Sequence, residues 1–163
     1  MKFTSGSQNM QVRKANLEDL KQLSALFDGY RQFYKQEADI NGAKAFLKQR
    51  IENEESVLFV VEEEGQLLGF TQLYPSFSSV SLQQQWILND LFVSADARRA
   101  GVAEKLMNAA NRWAIETGSK GLALETDDDN TCAQNLYQKL GYKKDNSTYH
   151  YFLPVQQSAT EVL

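Results

Sequence analysis

Arg98 and Arg99 stand side by side just ahead of Gly101 and Ala103. Guanidinium groups are planar, permanently charged forks that suit phosphate oxygens. Glycine lets a backbone approach a ligand closely and tolerates unusual φ, and alanine keeps the same wall low. Ahead of the arginines, residues 86–93 (WILNDLFV) are apolar with aromatic and β-branched members, which predicts a strand. Behind them Val102, Leu106, Ala109, Ala110 and Trp113 recur on one face, which predicts a helix packed on a sheet. Residues 94–100 form the polar turn between the two. The first N–H groups of a helix lack partners within it, and the helix dipole adds partial positive charge there. Strand, basic turn, glycine and helix together read as a pyrophosphate cradle. Its walls would be Arg98, Arg99, Ala100, Gly101, Val102, Ala103 and Glu104.

The elements that must hold this turn can be read along the chain. Met10–Lys14 alternates and predicts a first strand, and Asn16 is a candidate N-cap with Glu18 and Asp19 in the turn that follows. Leu20, Leu23, Leu26, Phe27, Tyr30, Phe33 and Tyr34 recur at helical spacing, up to a polar break at 36–39. Asn41 is the expected cap of a second helix carrying Ala43, Phe46, Leu47 and Ile51. Residues 56–61 (SVLFVV) predict a buried strand, 62–66 a hairpin turn, 67–74 its antiparallel partner, and 75–81 (PSFSSVS) a serine-rich loop. After the cradle, Gly118 is placed to end the helix, 121–126 (GLALET) to form a short strand, and Asp127 to Asn130 to cap a further helix that stops at Gly141. Two late strands are expected, one beginning at Tyr142 and one over 148–153. The order β-α-α-β-β-β-α-β-α-β-β implies a mixed α/β sheet covered by helices.

The chain has 163 residues, enough for one domain with a core, and the pattern sets off a flexible leader (1–9), a domain (10–154) and a tail (155–163). Apolar runs are too short to span a bilayer, so no membrane partner is expected. The first residues lack the apolar stretch of a secretory signal. The single cysteine, Cys132, excludes an intrachain disulfide and fits a reducing cytoplasm. It has no histidine near it in sequence to activate it, and reads as a small helix residue. His150 is the one histidine, so no metal site is expected, and its place between two tyrosines suggests a structural or solvent-facing role. A net charge of −4 argues against nucleic acid and leaves room for a cationic amine.

The spacing Arg98-x-x-Gly101-x-Ala103 resembles the [Q/R]-x-x-G-x-[G/A] signature of the GNAT superfamily of acyl-CoA N-acyltransferases, and the order of elements matches that fold from about residue 10 to 154. The resemblance implies acetyl-CoA as cofactor, with CoA as product. It implies that the strand carrying Leu91, Phe92 and Val93 splays from its neighbour and pairs its main chain with the pantetheine arm. Asn130-x-x-Ala133-x-x-x-Tyr137 is similar to the second half of the same site. By that resemblance Asn130 faces the cofactor, and Tyr137, two helical turns on, donates a proton to the departing thiolate. A homodimer is likewise implied by resemblance alone.

Leu88-Asn89-Asp90-Leu91-Phe92-Val93, with Gln72-Leu73-Tyr74-Pro75, is similar to the branch that includes histone- and polyamine-acetylating members. Other polyamine acetyltransferases carry a glutamate where Asn89 stands, and an amide cannot take a proton from the amine. Asp90, Glu125 or a water chain to solvent are the alternatives for that base, and Asp90 would equally serve to hold a strand bulge by accepting backbone hydrogen bonds. Holding an alkylamine unprotonated at pH 7 costs about 4–5 kcal/mol, part of which burial can remove. Tyr30 and Tyr34, with Phe33 between, offer rings suited to a cationic acceptor, and Asn89 and the 75–81 loop would complete its channel. The expected activity is transfer of an acetyl group to a primary amine of a small molecule, polyamine-like acceptors among them, by direct attack in a ternary complex. Acetylation of a protein lysine or N-terminus, and a non-catalytic acyl-CoA-binding module, are the alternatives.

Overall fold

The computed structural model describes residues 9–156, so the leader and most of the tail lie outside the described residues. Strands are β1 (Met10–Lys14), β2 (Val57–Glu63), β3 (Gln66–Ser78), β4 (Gln83–Val93) and β5 (Leu122–Ala123). Helices are α1 (Leu20–Phe33), α2 (Ile40–Glu52), α3 (Val102–Glu116) and α4 (Thr131–Lys139). This is the mixed α/β fold that the sequence implies. The strands lie side by side in chain order, antiparallel from β1 to β4, with β5 parallel to β4. The chain divides into two compact units at Glu125/Thr126. The sheet and α1 to α3 belong to the first unit, α4 to the second.

The first unit is built on two apolar layers. Leu20, Leu23 and Phe27 of α1 and Ala43 and Leu47 of α2 pack with Leu58, Val60, Leu67 and Phe70 of the sheet. Val102 and Leu106 of α3 pack with Val61 and Ala97, flanked by Leu91 and Val93. Alternation along β4 thus sends Phe92 to the α1 layer and Leu91 and Val93 to the α3 layer. Gly69 is required where these layers meet, since a Cβ there would lie 2.8 Å from the Phe92 carbonyl oxygen and 3.0 Å from Val102.

Asn16 caps a short 3-10 turn ahead of α1, with Asp19 returning a bond to its backbone N–H. Asp39, not Asn41, caps α2, because its carboxylate reaches the Gly42 N–H at 2.9 Å. Its own N–H donates to the buried Asp28 at 2.8 Å, which fixes the α1–α2 connection. The 75–81 loop is a second correction. β3 runs on through Pro75 to Ser78, paired with β4 down to Gln83, and the turn shrinks to residues 79–82. Serine content suggested a loop, but a ladder ten pairs long carries those residues along. The 121–126 strand is only Leu122–Ala123, and neither late strand is present among the described residues. Residues 143–156 contain no regular element.

Gly118 and Gly141, both at positive φ, end α3 and α4 as expected. In each case the residue after the glycine bonds back around the last turn: Ser119 N–H to Ala114, and Tyr142 N–H to Tyr137.

Candidate active site

β4 organises the candidate residues. Opposite β3 its register runs Gln72–Asp90 and then Leu73–Leu88, which leaves Asn89 as an extra residue. Such a bulge bends the strand and re-aims side chains. Asn89 is turned out to solvent, while Asp90 is only 3% exposed. The Asp90 carboxylate accepts from the Gln72 side-chain amide on one oxygen and from Asn89 Nδ2 on the other, at 2.9 Å. Thr71 Oγ1 donates to the Asp90 carbonyl at 2.7 Å, and the Tyr30 hydroxyl to the Asn89 carbonyl at 3.3 Å. Burial pushes the Asp90 carboxyl above the usual carboxylate range, although the bonds from Gln72, Asn89 and Tyr30 oppose it.

The Tyr30 ring is wedged among Phe27, Phe70, Phe92 and Tyr34, with centroids 5.1–6.2 Å away. Burial, then the nearby Asp90 charge, raise its phenol well beyond the ordinary tyrosine value; the same two causes push Tyr74 up to about 12. Both phenols stay protonated at neutral pH and lie near one carboxylate. Tyr34 is half exposed as the C-cap of α1, and Phe33 is 61% exposed, so it does not belong to the core.

β5 meets β4 only at Trp86 and Ile87. Trp86 N–H donates to the Gly121 carbonyl and Lys120 N–H to the Gln84 carbonyl, which pins the two strands together at that end. From 88 to 93 no strand pairs with this edge of β4 among the described residues. Leu91 and Val93 lie along it. The Phe92 ring is occupied against Tyr30, and its edge meets the site where Gly29 gains a 3.4 Å contact if given a Cβ, so only its main chain faces the open edge.

The strand leads into the arginine turn. Ser94 N–H is tied to the Leu68 carbonyl at 2.9 Å, and a 3-10 turn over 95–97 buries Ala97. Arg98, Arg99 and Ala100 are exposed. Arg99 (φ 66°) and Gly101 (φ 79°) are both left-handed. A side chain makes that conformation costly, so Arg99 is held there by the surrounding turn. Gly101 is the N-cap residue of α3 and brings no side-chain acceptor, so the first-turn N–H groups of Val102, Ala103 and Glu104 are not capped by it. A Cβ on Gly101 would meet nothing within 4 Å, so the cradle is open at that point.

In the second unit, Asn130 is the N-cap of α4, its side-chain oxygen accepting from Ala133 N–H at 3.2 Å. Tyr137 packs its ring 6.0 Å from Tyr142. Burial, then Tyr137, raise the Tyr142 phenol to about 12. The structure thus gathers Tyr30, Tyr34, Asn89 and Asp90 at the bulge, strings 91–93 and 98–104 along one path, and holds Asn130 and Tyr137 on a separate unit. Ser56 is the member of this site that the sequence did not single out, and Gln72 and Tyr74 stood out only within the Gln72–Pro75 motif, with no role assigned. A polar pair, Thr71-Gln72, inside an otherwise apolar strand was the available signal.

A family model for the acetyltransferase (GNAT) family matches residues 21–142. The chain belongs to the GNAT acetyltransferase family. It is 47% identical over 146 residues to an uncharacterized N-acetyltransferase of Bacillus subtilis, YhfO, covering 90% of this chain and 98% of that one. It is 34% identical over 132 residues to a probable acetyltransferase of Haemophilus influenzae, covering 80% of this chain and 86% of the other. The crystal structure of a probable acetyltransferase superposes with a TM-score of 0.84 at 40% identity, covering 90% of this chain and 99% of that chain. The protein is therefore an acetyltransferase. No helix among the described residues is long and apolar enough to cross a membrane.

Proposed function

We propose that this GNAT enzyme moves an acetyl group from acetyl-CoA to a primary amine of a small, polyamine-like molecule by direct attack. The observation that carries the reading is the buried, hydrogen-bonded Asp90 carboxylate at the β4 bulge, ringed by the phenols of Tyr30 and Tyr74. A carboxylate among aromatic rings favours an ammonium group.

Bound acetyl-CoA supplies an activated acyl group as a thioester. The residues present fit it. The uncapped first turn of α3, the space beside Gly101 and the exposed Arg98 and Arg99 suit a diphosphate, and the unpaired 88–93 edge suits a chain with amide groups. Leu91, Phe92 and Val93 would hold it by main-chain groups, and the turn from Arg98 to Glu104 by N–H groups and charge. Asp90 takes the proton from the acceptor ammonium at a carboxylate oxygen, its raised affinity for protons narrowing the gap to the amine. Tyr30 and Tyr34 orient the acceptor chain, with Asn89 at the mouth. The Tyr137 hydroxyl is assigned the opposite proton transfer, outward from its oxygen. The enzyme is taken to be cytoplasmic, in keeping with its single cysteine, and to act as a homodimer, which light scattering of the purified chain tests.

Release of free CoA thiol across diamines, polyamines, aminoglycosides, free amino acids and a lysine peptide is the deciding assay. Turnover concentrated on the flexible di- and polyamines supports the reading. Silence with every amine while acetyl-CoA binds would leave a binding module instead, and preference for the peptide would move the acceptor class to proteins.

A further inference from the structure

Gln72 is fully buried in the middle of β3, where an apolar residue would cost nothing. A buried amide persists only where its groups are matched. Both ends of this one are. Its nitrogen donates to Asp90 Oδ2, and its oxygen accepts from Ser56 Oγ at 2.7 Å. Ser56, half-buried ahead of β2, is thus the first of three side chains in line: hydroxyl, amide, carboxylate. An amide viewed alone presents either end to a neighbour. Here the carboxylate, which only accepts, draws the N–H end, and the Ser56 hydroxyl donates to the Oε1 left on the other side and holds the amide in that place. Asp90 Oδ1 is meanwhile held by Asn89 from the exposed side of the bulge.

We propose that Gln72, locked by Ser56, is a positioning residue that orients the Asp90 carboxylate toward the acceptor amine. The inference rests on Asp90 acting as the base. A carboxylate released from Gln72 turns about its terminal torsion, which has a broad energy well. Losing an N–H donor also disfavours the charged form, so the carboxyl takes up its proton at higher pH. The other titratable groups against this carboxylate are Tyr30 from α1 and Tyr74 from β3, both held protonated; Arg50 and Glu55 face Tyr74 from the end of α2 and the segment after it. Neither phenol changes charge in the range where the carboxyl does, so a displaced acidic limb reports on Asp90.

The test is the pH profile of kcat/KM for the best amine in S56A, S56T, Q72L and D90N, with acetyl-CoA affinity measured for each. Loss of the lock in S56A moves the acidic limb upward and lowers kcat/KM by about tenfold, a fraction of what a general base supplies. S56T keeps the hydroxyl and restores both. Q72L moves the limb further in the same direction, and acetyl-CoA affinity is unchanged throughout. Wild-type limbs in S56A and Q72L, beside a D90N enzyme that has lost its limb, overturn the positioning role and leave the base in place. A D90N enzyme with the wild-type profile overturns the base itself. Should Q72L fail to fold, S56A at its half-buried position still decides.

Discussion

On the proposed mechanism the residue that matters most is Asp90, whose chemistry composition alone does not reveal. Its chemistry comes from being 3% exposed with only neutral donors on its oxygens. Burial of this kind raises a carboxyl toward the range where it exchanges protons with an amine. Asp90→Asn keeps the shape and removes the base, so kcat/KM falls by about 10²-fold or more while acetyl-CoA affinity stays within twofold. Steady-state rates with calorimetry of cofactor binding check this. The same carboxyl leaves a mark on stability. Its proton affinity is higher folded than unfolded, so between the unfolded value of about 4 and the raised folded value the native state holds more protons, and stability declines as pH rises. Urea midpoints at pH 4.5 and 7.5 show it: Asp90→Asn gains on the wild type as pH goes up. Tyr137 is the second residue with a definite forecast. Replacing it by Phe keeps the ring contact with Tyr142 and removes one hydroxyl, and turnover falls by about 10²-fold with cofactor binding kept.

Among the elements, the bulge in β4 and the glycine at the start of α3 do the positioning. The strand itself, the helix, both helix-ending glycines and the order of elements up to α4 were legible, because each is written in local periodicity and turn chemistry. The exact register of the bulge was not. One extra residue, Asn89, changes which neighbour each later side chain meets, and only the partner strand reveals it. For the same reason Asn89 and Asp90 were visible as candidates and Gln72 only within a motif without a role, whereas Ser56, ahead of another strand, was not visible. Expected strands after Tyr142 failed because aromatic and β-branched residues favour a strand only where a ladder is available. Gly101→Ala puts a Cβ on a left-handed residue at φ 79°, which costs about 1–2 kcal/mol of stability. Gly65→Ala, at φ 81° in the β2–β3 turn, incurs the same strain far along the chain from the cradle, also with open space around the new Cβ. Thermal melts show similar losses in the two variants, and calorimetry shows weaker acetyl-CoA binding, by about tenfold, only in Gly101→Ala. Equal affinities in both would remove the α3 start from the cofactor site.

At the scale of the molecule, charge separates into two jobs. Arg98 and Arg99 put fixed positive charge beside the α3 start, while the chain as a whole carries −4 and the bulge offers a carboxylate. On the proposed function, an anionic cofactor and a cationic acceptor would each meet a site of opposite sign on a chain of modest net charge. Long-range attraction of this sort is screened over about 8–10 Å at physiological ionic strength, whereas contacts inside a buried site are screened much less. The two contributions part when salt is varied. For an acceptor with several positive charges, kcat/KM falls as salt rises from 0.02 to about 0.3 M, and the drop resides in KM, since encounter and not chemistry is being screened. A monoamine of equal length shows a shallower slope, because it couples to the same field through a single charge. Steady-state kinetics on the pair, with a neutral salt and acetyl-CoA saturating, measure both slopes. Parallel lines would mean that the second charge of the acceptor meets no field of this protein, and the acceptor would then have to be recognised by its shape and by one ammonium group at Asp90.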